Sequence, residues 1–201
     1  KQVKPGQGDD LYRHNGAGEM LVYSAADFED FRVERPDMPP NMEADLEPVV
    51  RLLAENRWPW RLHATYDETI DRALDVFEKV NRDIPLSGVN WFFDHAETIT
   101  DRNIDRIAAL GGGIAVQHRM AYQGEYFVER YGAKAAERTP PIRKMMQAGL
   151  PVGDRSNRPS IRRRAAPPAD DRIRAPSTST ASARGPPSPG TSRMFFRLRS
   201  G

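Results

Sequence analysis

No cysteine occurs among the 201 residues, which removes disulfides and every thiolate metal site from consideration. A metal ion, if there is one, must be held by His, Asp, Glu or backbone oxygen. That donor set belongs to hydrolytic rather than structural zinc sites. No apolar run approaches the roughly 20 residues that a bilayer-spanning helix needs, and no signal-peptide pattern is visible. The expectation is a cytoplasmic protein with no membrane partner, although a chain beginning at Lys1 leaves room for a lost upstream segment. Histidine is scarce, at four residues, so each can be weighed by its setting. Lysine is missing from residues 154–201, which hold eleven Arg and three acids. That stretch carries +8, leaving −6 on residues 1–153 of a chain whose total is +2. The basic character belongs to the tail alone, its only aromatics are Phe195 and Phe196, and no nucleic-acid partner is expected.

What is present is a repeating pattern. Glycine and proline punctuate residues 1–20 and 35–41 as loops. From about 42 to 56, Leu46, Val49, Val50 and Leu53 fall at helical spacing, with the helix expected to begin near Pro48 because proline suits a first turn. The period then changes. Trp60 to Ala64 reads as a short buried strand, and Thr65-Tyr66-Asp67-Glu68 has the form of a capping box opening a helix with Ile70, Ala73, Leu74 and Phe77 on one face. Val89 to Asp94 is the next strand, followed by a helix from Thr100 with Ile104 and Ile107 inward. Gly111-Gly112-Gly113 reads as that helix's C-terminal stop rather than a phosphate loop, because it precedes a strand. Ile114 to Gln117 is a third strand, a helix follows Pro140-Pro141, and Leu150 to Gly153 starts a fourth strand. The strand ends near 63, 95, 118 and 153 lie about 30 residues apart, close to the roughly 31 per unit of an eight-unit βα barrel. Spacing alone leaves a doubly wound sheet open as well.

The chemistry sits at the strand ends. His63 and His95 each close an apolar run in successive units, where βα folds assemble their sites. Neutral imidazole is a common metal ligand, so one reading is a shared ion; the other is two buried, hydrogen-bonded histidines. His118 closes the third strand between Gln117 and Arg119; it reads first as a substrate contact or a support for the ligands, with metal binding, capping of the site and a structural role as the alternatives. Asp94 and Glu97 flank His95. Asp94, one residue before the histidine, is expected on the opposite face in a structural role, while Asp67 and Glu68 read as helix-start acids. Tyr122, Tyr126, Phe127 and Tyr131 are at helical spacing and read as packing. His14, in a glycine-rich loop, receives no role.

The segments Arg61-Leu62-His63-Ala64-Thr65-Tyr66-Asp67, Phe93-Asp94-His95-Ala96-Glu97 and Gly149-Leu150-Pro151-Val152-Gly153 resemble the metal-dependent amidohydrolase superfamily, in its family 3 or YtcJ-like branch, over roughly residues 10–153. The resemblance implies an α/β fold, the C-terminal part of a TIM-type (β/α)8 barrel covering about strands 5 to 8. It implies His63 and His95 as metal ligands from the fifth and sixth strands, with His118 on the substrate side of the seventh. The cofactor would be a divalent metal, zinc by expectation, and the partner a small-molecule substrate whose carbon–nitrogen (non-peptide) bond is attacked by metal-activated water. The family pattern also asks for a His-x-His pair from the first strand and an Asp from the eighth in a Gly-Thr/Ser-Asp-Ala context. Neither occurs here, and those groups, with any bridging ligand from the fourth strand, are expected upstream of Lys1 or beyond Gly153. No catalytic residue is therefore assigned. Asp154 lacks the motif, and two histidines alone make a weak site.

The chain thus reads as an incomplete and inactive piece of a hydrolase. The competing class is a non-catalytic binding or regulatory protein, like the exoenzyme regulators of that family. Half a barrel would expose sheet edges, so self-association is expected. Residues 1–153 form the expected domain, and 154–201 an expected disordered Arg/Pro/Ser-rich tail. Its abrupt change of composition is what out-of-frame translation of GC-rich DNA would give. Reading the encoding DNA in its other two frames should restore a Gly-Thr-Asp-like motif just after Gly153; if neither frame does so, the frameshift explanation fails.

Overall fold

A computed structural model describes residues 3–28 and 31–154. After a short 3-10 turn at Tyr23–Ala25, helices and strands alternate: α1 (Met42–Glu55), β1 (Trp60–Ala64), α2 (Asp67–Asp83), β2 (Trp91–His95), α3 (Asp101–Ala109) and β3 (Gly113–Val116). Three helices, α4 (Met120–Tyr131), α5 (Ala133–Ala136) and α6 (Ile142–Gln147), then lead to β4 (Val152–Asp154). The sequence pattern anticipates one helix between the third and fourth strands, where there are three. The expected disordered tail lies outside the described residues, apart from Asp154, which closes β4.

All four strands are parallel and lie in the spatial order β1-β2-β3-β4. A doubly wound sheet reverses its order at a switch point; among the described strands none is seen. This is a parallel α/β arrangement consistent with part of a TIM-type barrel. Pairing sets Trp60 opposite Trp91, Leu62 opposite Phe93 and His63 opposite Asp94.

Alternation along the strands turns Trp60, Leu62, Trp91, Phe93 and Ile114 towards the helices, where they join Leu46, Val50, Ile70, Leu74 and Ile107 in one core. Phe77 of α2 is its keystone. Its ring meets Trp60 and Trp91 edge-on at 5.8 and 5.0 Å and stacks on Phe93 at 5.5 Å. Contacts of this kind add about 0.5–1.5 kcal/mol each beyond area burial.

Two local expectations are overturned. α1 begins at Met42, so Pro48 lies inside the helix rather than at its start. Met42, Leu46, Val50 and Ala54, spaced by four, are all fully buried. Burying the first two is worth about 1.5–3 kcal/mol each, which offsets the roughly 3 kcal/mol cost of an internal proline. Nor does Thr65 form a capping box. The N-cap of α2 is Tyr66, without a side-chain cap of its own, and tertiary partners do the capping. Asp27 accepts the Thr65 and Tyr66 amides, and Thr98 Oγ1 accepts the Asp67 amide at 3.0 Å.

The glycine run does end α3, as expected. Gly111 takes φ +73°, its amide bonds Ala108 O at 3.1 Å, and the Gly112 amide bonds Ile107 O at 3.0 Å, the paired hydrogen bonds of a Schellman stop. Gly112 is also pressed against Trp91: a Cβ there would lie under 3.0 Å from three indole carbons. Gly112→Ala should therefore lower unfolding stability by about 1–3 kcal/mol in a denaturant titration. Gly111→Asn, in open space and in a conformation Asn tolerates, should cost less; equal losses would contradict this packing.

Candidate metal centre

The site grows from the C-terminal ends of β1 and β2. Arg61 and His63 point away from the helix-facing core, and Asp94, in register with His63, shares their face. Arg61 donates to Asp94 Oδ2 from Nε at 2.9 Å and from its Nη2 at 2.8 Å. The expectation that Asp94 lies opposite the histidines is thus wrong, and the reason is His95. Simple alternation would turn His95 into the helix side with Trp91 and Phe93. Instead the backbone enters the left-handed region at His95 (φ +81°) and Ala96 (φ +55°), which non-glycine residues seldom occupy. That turn brings the His95 ring to 4.3 Å from the His63 ring, edge to face. Backbone of this kind costs on the order of 1–3 kcal/mol and clusters at functional sites.

A third group arrives from a segment that sequence reading took for plain loop. Ala17 bridges Trp60 in parallel; the Arg61 amide bonds Ala17 O at 3.2 Å and the His63 amide bonds Glu19 O at 3.0 Å. Residues 17–19 thus run along the free edge of β1 and deliver Glu19 to the histidines. Its Oε2 stands 3.7 Å from His63 Nδ1 and 3.5 Å from His95 Nε2. Glu19, His63 and His95 each offer one ligand atom, all within 4.8 Å of one another. Sequence reading placed any bridging ligand upstream of Lys1; Glu19 is a carboxylate within the chain that stands beside both histidines. The segment is too short to show strand periodicity, and the only local hint is an acid beside the apolar run Met20 to Tyr23.

Asp27 is the other residue that pattern reading missed. It is fully buried, and its Oδ1 lies 3.1 Å from His63 Nε2. Glu97 stands close by with its side chain fully buried, 3.5 Å from the Arg119 guanidinium. Burial pushes the Glu97 carboxyl up to about 7; Arg119 and His63 oppose the shift, and Asp27 adds to it. Burial likewise raises Asp94 to about 6, against Arg61 and with help from Glu19. Four carboxylates thus crowd two imidazoles with two guanidiniums beside them, a field that favours a cation.

His118 is placed elsewhere. It lies in the turn after β3, exposed, its ring 6.1 Å from that of Tyr122, and it lines a cavity of about 320 Å³ with Gln117, Arg119, Tyr122 and Gln123. It does not join the Glu19–His63–His95 group. Of the aromatics read as packing, Phe127 is buried against Phe31, whereas Tyr122 is exposed. Asp67 and Glu68 stand in the first turn of α2, as expected, and Asp67 Oδ1 also accepts the Thr100 amide at 2.7 Å at the start of α3.

A model of the amidohydrolase family, family 3, matches residues 2–156. The chain belongs to the amidohydrolase family. Two solved structures resemble this amidohydrolase chain, both described as uncharacterized metal-dependent hydrolases. The one from Pyrococcus furiosus has a TM-score of 0.47 at 20% identity, covering 56% of this chain and 22% of its own. The one from Pyrococcus horikoshii OT3 has 0.46 at 22% identity, covering 57% and 23%. This chain therefore spans less than a quarter of the length of either. No curated protein matches it. Among the described residues no helix is long and apolar enough to cross a membrane.

The raised carboxyls fix a sign. Folded Asp94 and Glu97 keep protons that the unfolded chain releases near 3.8 and 4.5, so stability must fall as pH rises from there to about 6 and about 7, then level off. Glu97→Gln removes one such penalty. In denaturant titrations at pH 5 and pH 8, its stability relative to the parent should improve at the higher pH; a relative loss would show that Glu97 is not held protonated by its surroundings.

Proposed function

We propose that this amidohydrolase chain carries a divalent-metal site made by Glu19, His63 and His95, and that it is part of a metal-dependent hydrolase acting on carbon–nitrogen (non-peptide) bonds of a small molecule. The observation that carries the reading is the convergence of three donors, two of them buried histidines. The donor set fits an ion: His63 Nδ1 is buried without a hydrogen-bond partner and faces the Glu19 carboxylate at 3.7 Å, so with the imidazole proton on Nε2 two acceptors face each other and a cation between them would be held by both. One carboxylate and two imidazoles with no thiolate are the ligands of hydrolytic zinc enzymes, and zinc is the ion we expect. When bound, such an ion supplies Lewis acidity and lowers the pKa of water towards neutrality.

The chain's own residues do the rest. His63 and His95 fix the ligand positions from two adjacent strands, and Arg61 neutralises Asp94 on the same face. In this reading β1 to β4 are the fifth to eighth barrel strands, and residues 17–19 take the fourth strand's place beside β1. His118, at the neighbouring strand end with Arg119 and Tyr122, is a substrate-side group. No His-x-His pair occurs in the sequence, nor an Asp in a Gly-Thr/Ser-Asp-Ala setting, so the chain alone is expected to bind metal without turnover.

Equilibrium dialysis of the whole chain against zinc should give about one ion per molecule. His63→Ala, His95→Ala and Glu19→Gln should each weaken binding by roughly tenfold or more. A folded parent that takes up no zinc would instead favour a non-catalytic binding protein that has kept the fold.

A further inference from the structure

We propose that Asp27 is a positioning residue that holds His63 in the Nε2–H tautomer and turns the Nδ1 lone pair towards Glu19. The inference rests on the metal reading only for its consequence, not for its geometry. Asp27 follows the turn at Tyr23–Ala25 and is fully buried. Both carboxylate oxygens accept the Thr65 amide, at 3.0 and 2.9 Å, and Oδ2 also accepts the Tyr66 amide at 3.0 Å. Backbone amides only donate, so the carboxylate is anchored as an acceptor by the two residues that follow β1. The contact left to it is His63 Nε2, 3.1 Å from Oδ1.

Only one neutral tautomer suits that contact. With the proton on Nε2 the imidazole donates to Asp27; with it on Nδ1, two lone pairs would meet at 3.1 Å inside the protein, where desolvation makes such repulsion costly. In the favoured tautomer Nδ1 is a bare acceptor, in keeping with its lack of a hydrogen-bond partner. Its distance of 3.7 Å from Glu19 Oε2 is too long for a hydrogen bond. Carboxylates in this position fix ring orientation and raise ligand basicity in metal sites, and losing one typically weakens metal binding by about 10–100-fold. Thr65 Oγ1, 3.5 Å from Nε2, is too distant to compete with Asp27.

The test uses the whole chain with ¹⁵N-labelled histidine, free of metal, and reads the tautomer from long-range imidazole correlations. The parent's His63, assigned by comparison with His63→Ala, should show the Nε2–H pattern. A proton on Nδ1, alone or with a second on Nε2, overturns the proposal without any variant having to fold. Asp27→Asn keeps an acceptor for the backbone amides but presents an NH2 to Nε2, so His63 should shift towards the Nδ1–H form. Zinc affinity by calorimetry should fall by about 10–100-fold. A folded Asp27→Asn chain with unchanged tautomer and affinity overturns the proposal. A parent that takes up no zinc yet shows the Nε2–H pattern defeats the metal reading alone and leaves the positioning by Asp27 standing.

Discussion

The left-handed backbone at His95 and Ala96 is the constraint on which the arrangement of the strand ends depends. A regular continuation of β2 would send the imidazole into the aromatic core between sheet and helices, where it would displace packing and meet no polar partner. The turn removes it from that core and sets it against His63 instead. The neighbours over-determine the conformation. The Ala96 amide bonds Ala64 O at 2.9 Å and the Thr98 amide bonds Thr65 O at 3.3 Å, so the chain past β2 stays tied to the chain past β1. Thr98 then receives the Asp67 amide while Asp67 accepts the Thr100 amide. The two histidines are thus fixed by the same bonds that start α2 and lead into α3.

Charge explains why such a place favours a cation. Asp27, Asp94 and Glu97 are each at most 1% exposed, and Glu19 adds a fourth carboxylate at the histidines. Arg61 serves Asp94, and Arg119 approaches Glu97 only to 3.5 Å. Protonation of the raised carboxyls is one way to relieve the imbalance, and a bound divalent ion is another. The rest of the acidic surface is not of this kind. On α2, Asp71, Asp75 and Glu78 are paired with the half-buried guanidinium of Arg106 from α3.

Much of this fold was legible in the sequence because its signals are local. Short apolar runs ending at His63 and His95 marked two strands, and the spacing of Ile70, Ala73, Leu74 and Phe77 marked the face of α2 that is buried. The glycine stop after α3 followed from turn chemistry. Glu19 and Asp27 escaped because nothing near them in the chain announces their place: each is set by hydrogen bonds across 38 or more residues, from the Arg61 and His63 amides of β1 to Ala17 and Glu19, and from the Thr65 amide just after β1 to Asp27. Asp94 was assigned to the wrong side because alternation was carried through His95, where the backbone abandons it. Pro48 misled because a general preference for first turns was outweighed by the burial of Met42 and Leu46.

The central claim is that Glu19, His63 and His95 form one cation site. Diffraction at the zinc absorption edge, from crystals of the whole chain grown with zinc, tests it most directly. One anomalous peak should appear, beside the Glu19 carboxylate and the His63 and His95 imidazoles. Zinc bound elsewhere, with both imidazoles hydrogen-bonded only to protein groups, would contradict it.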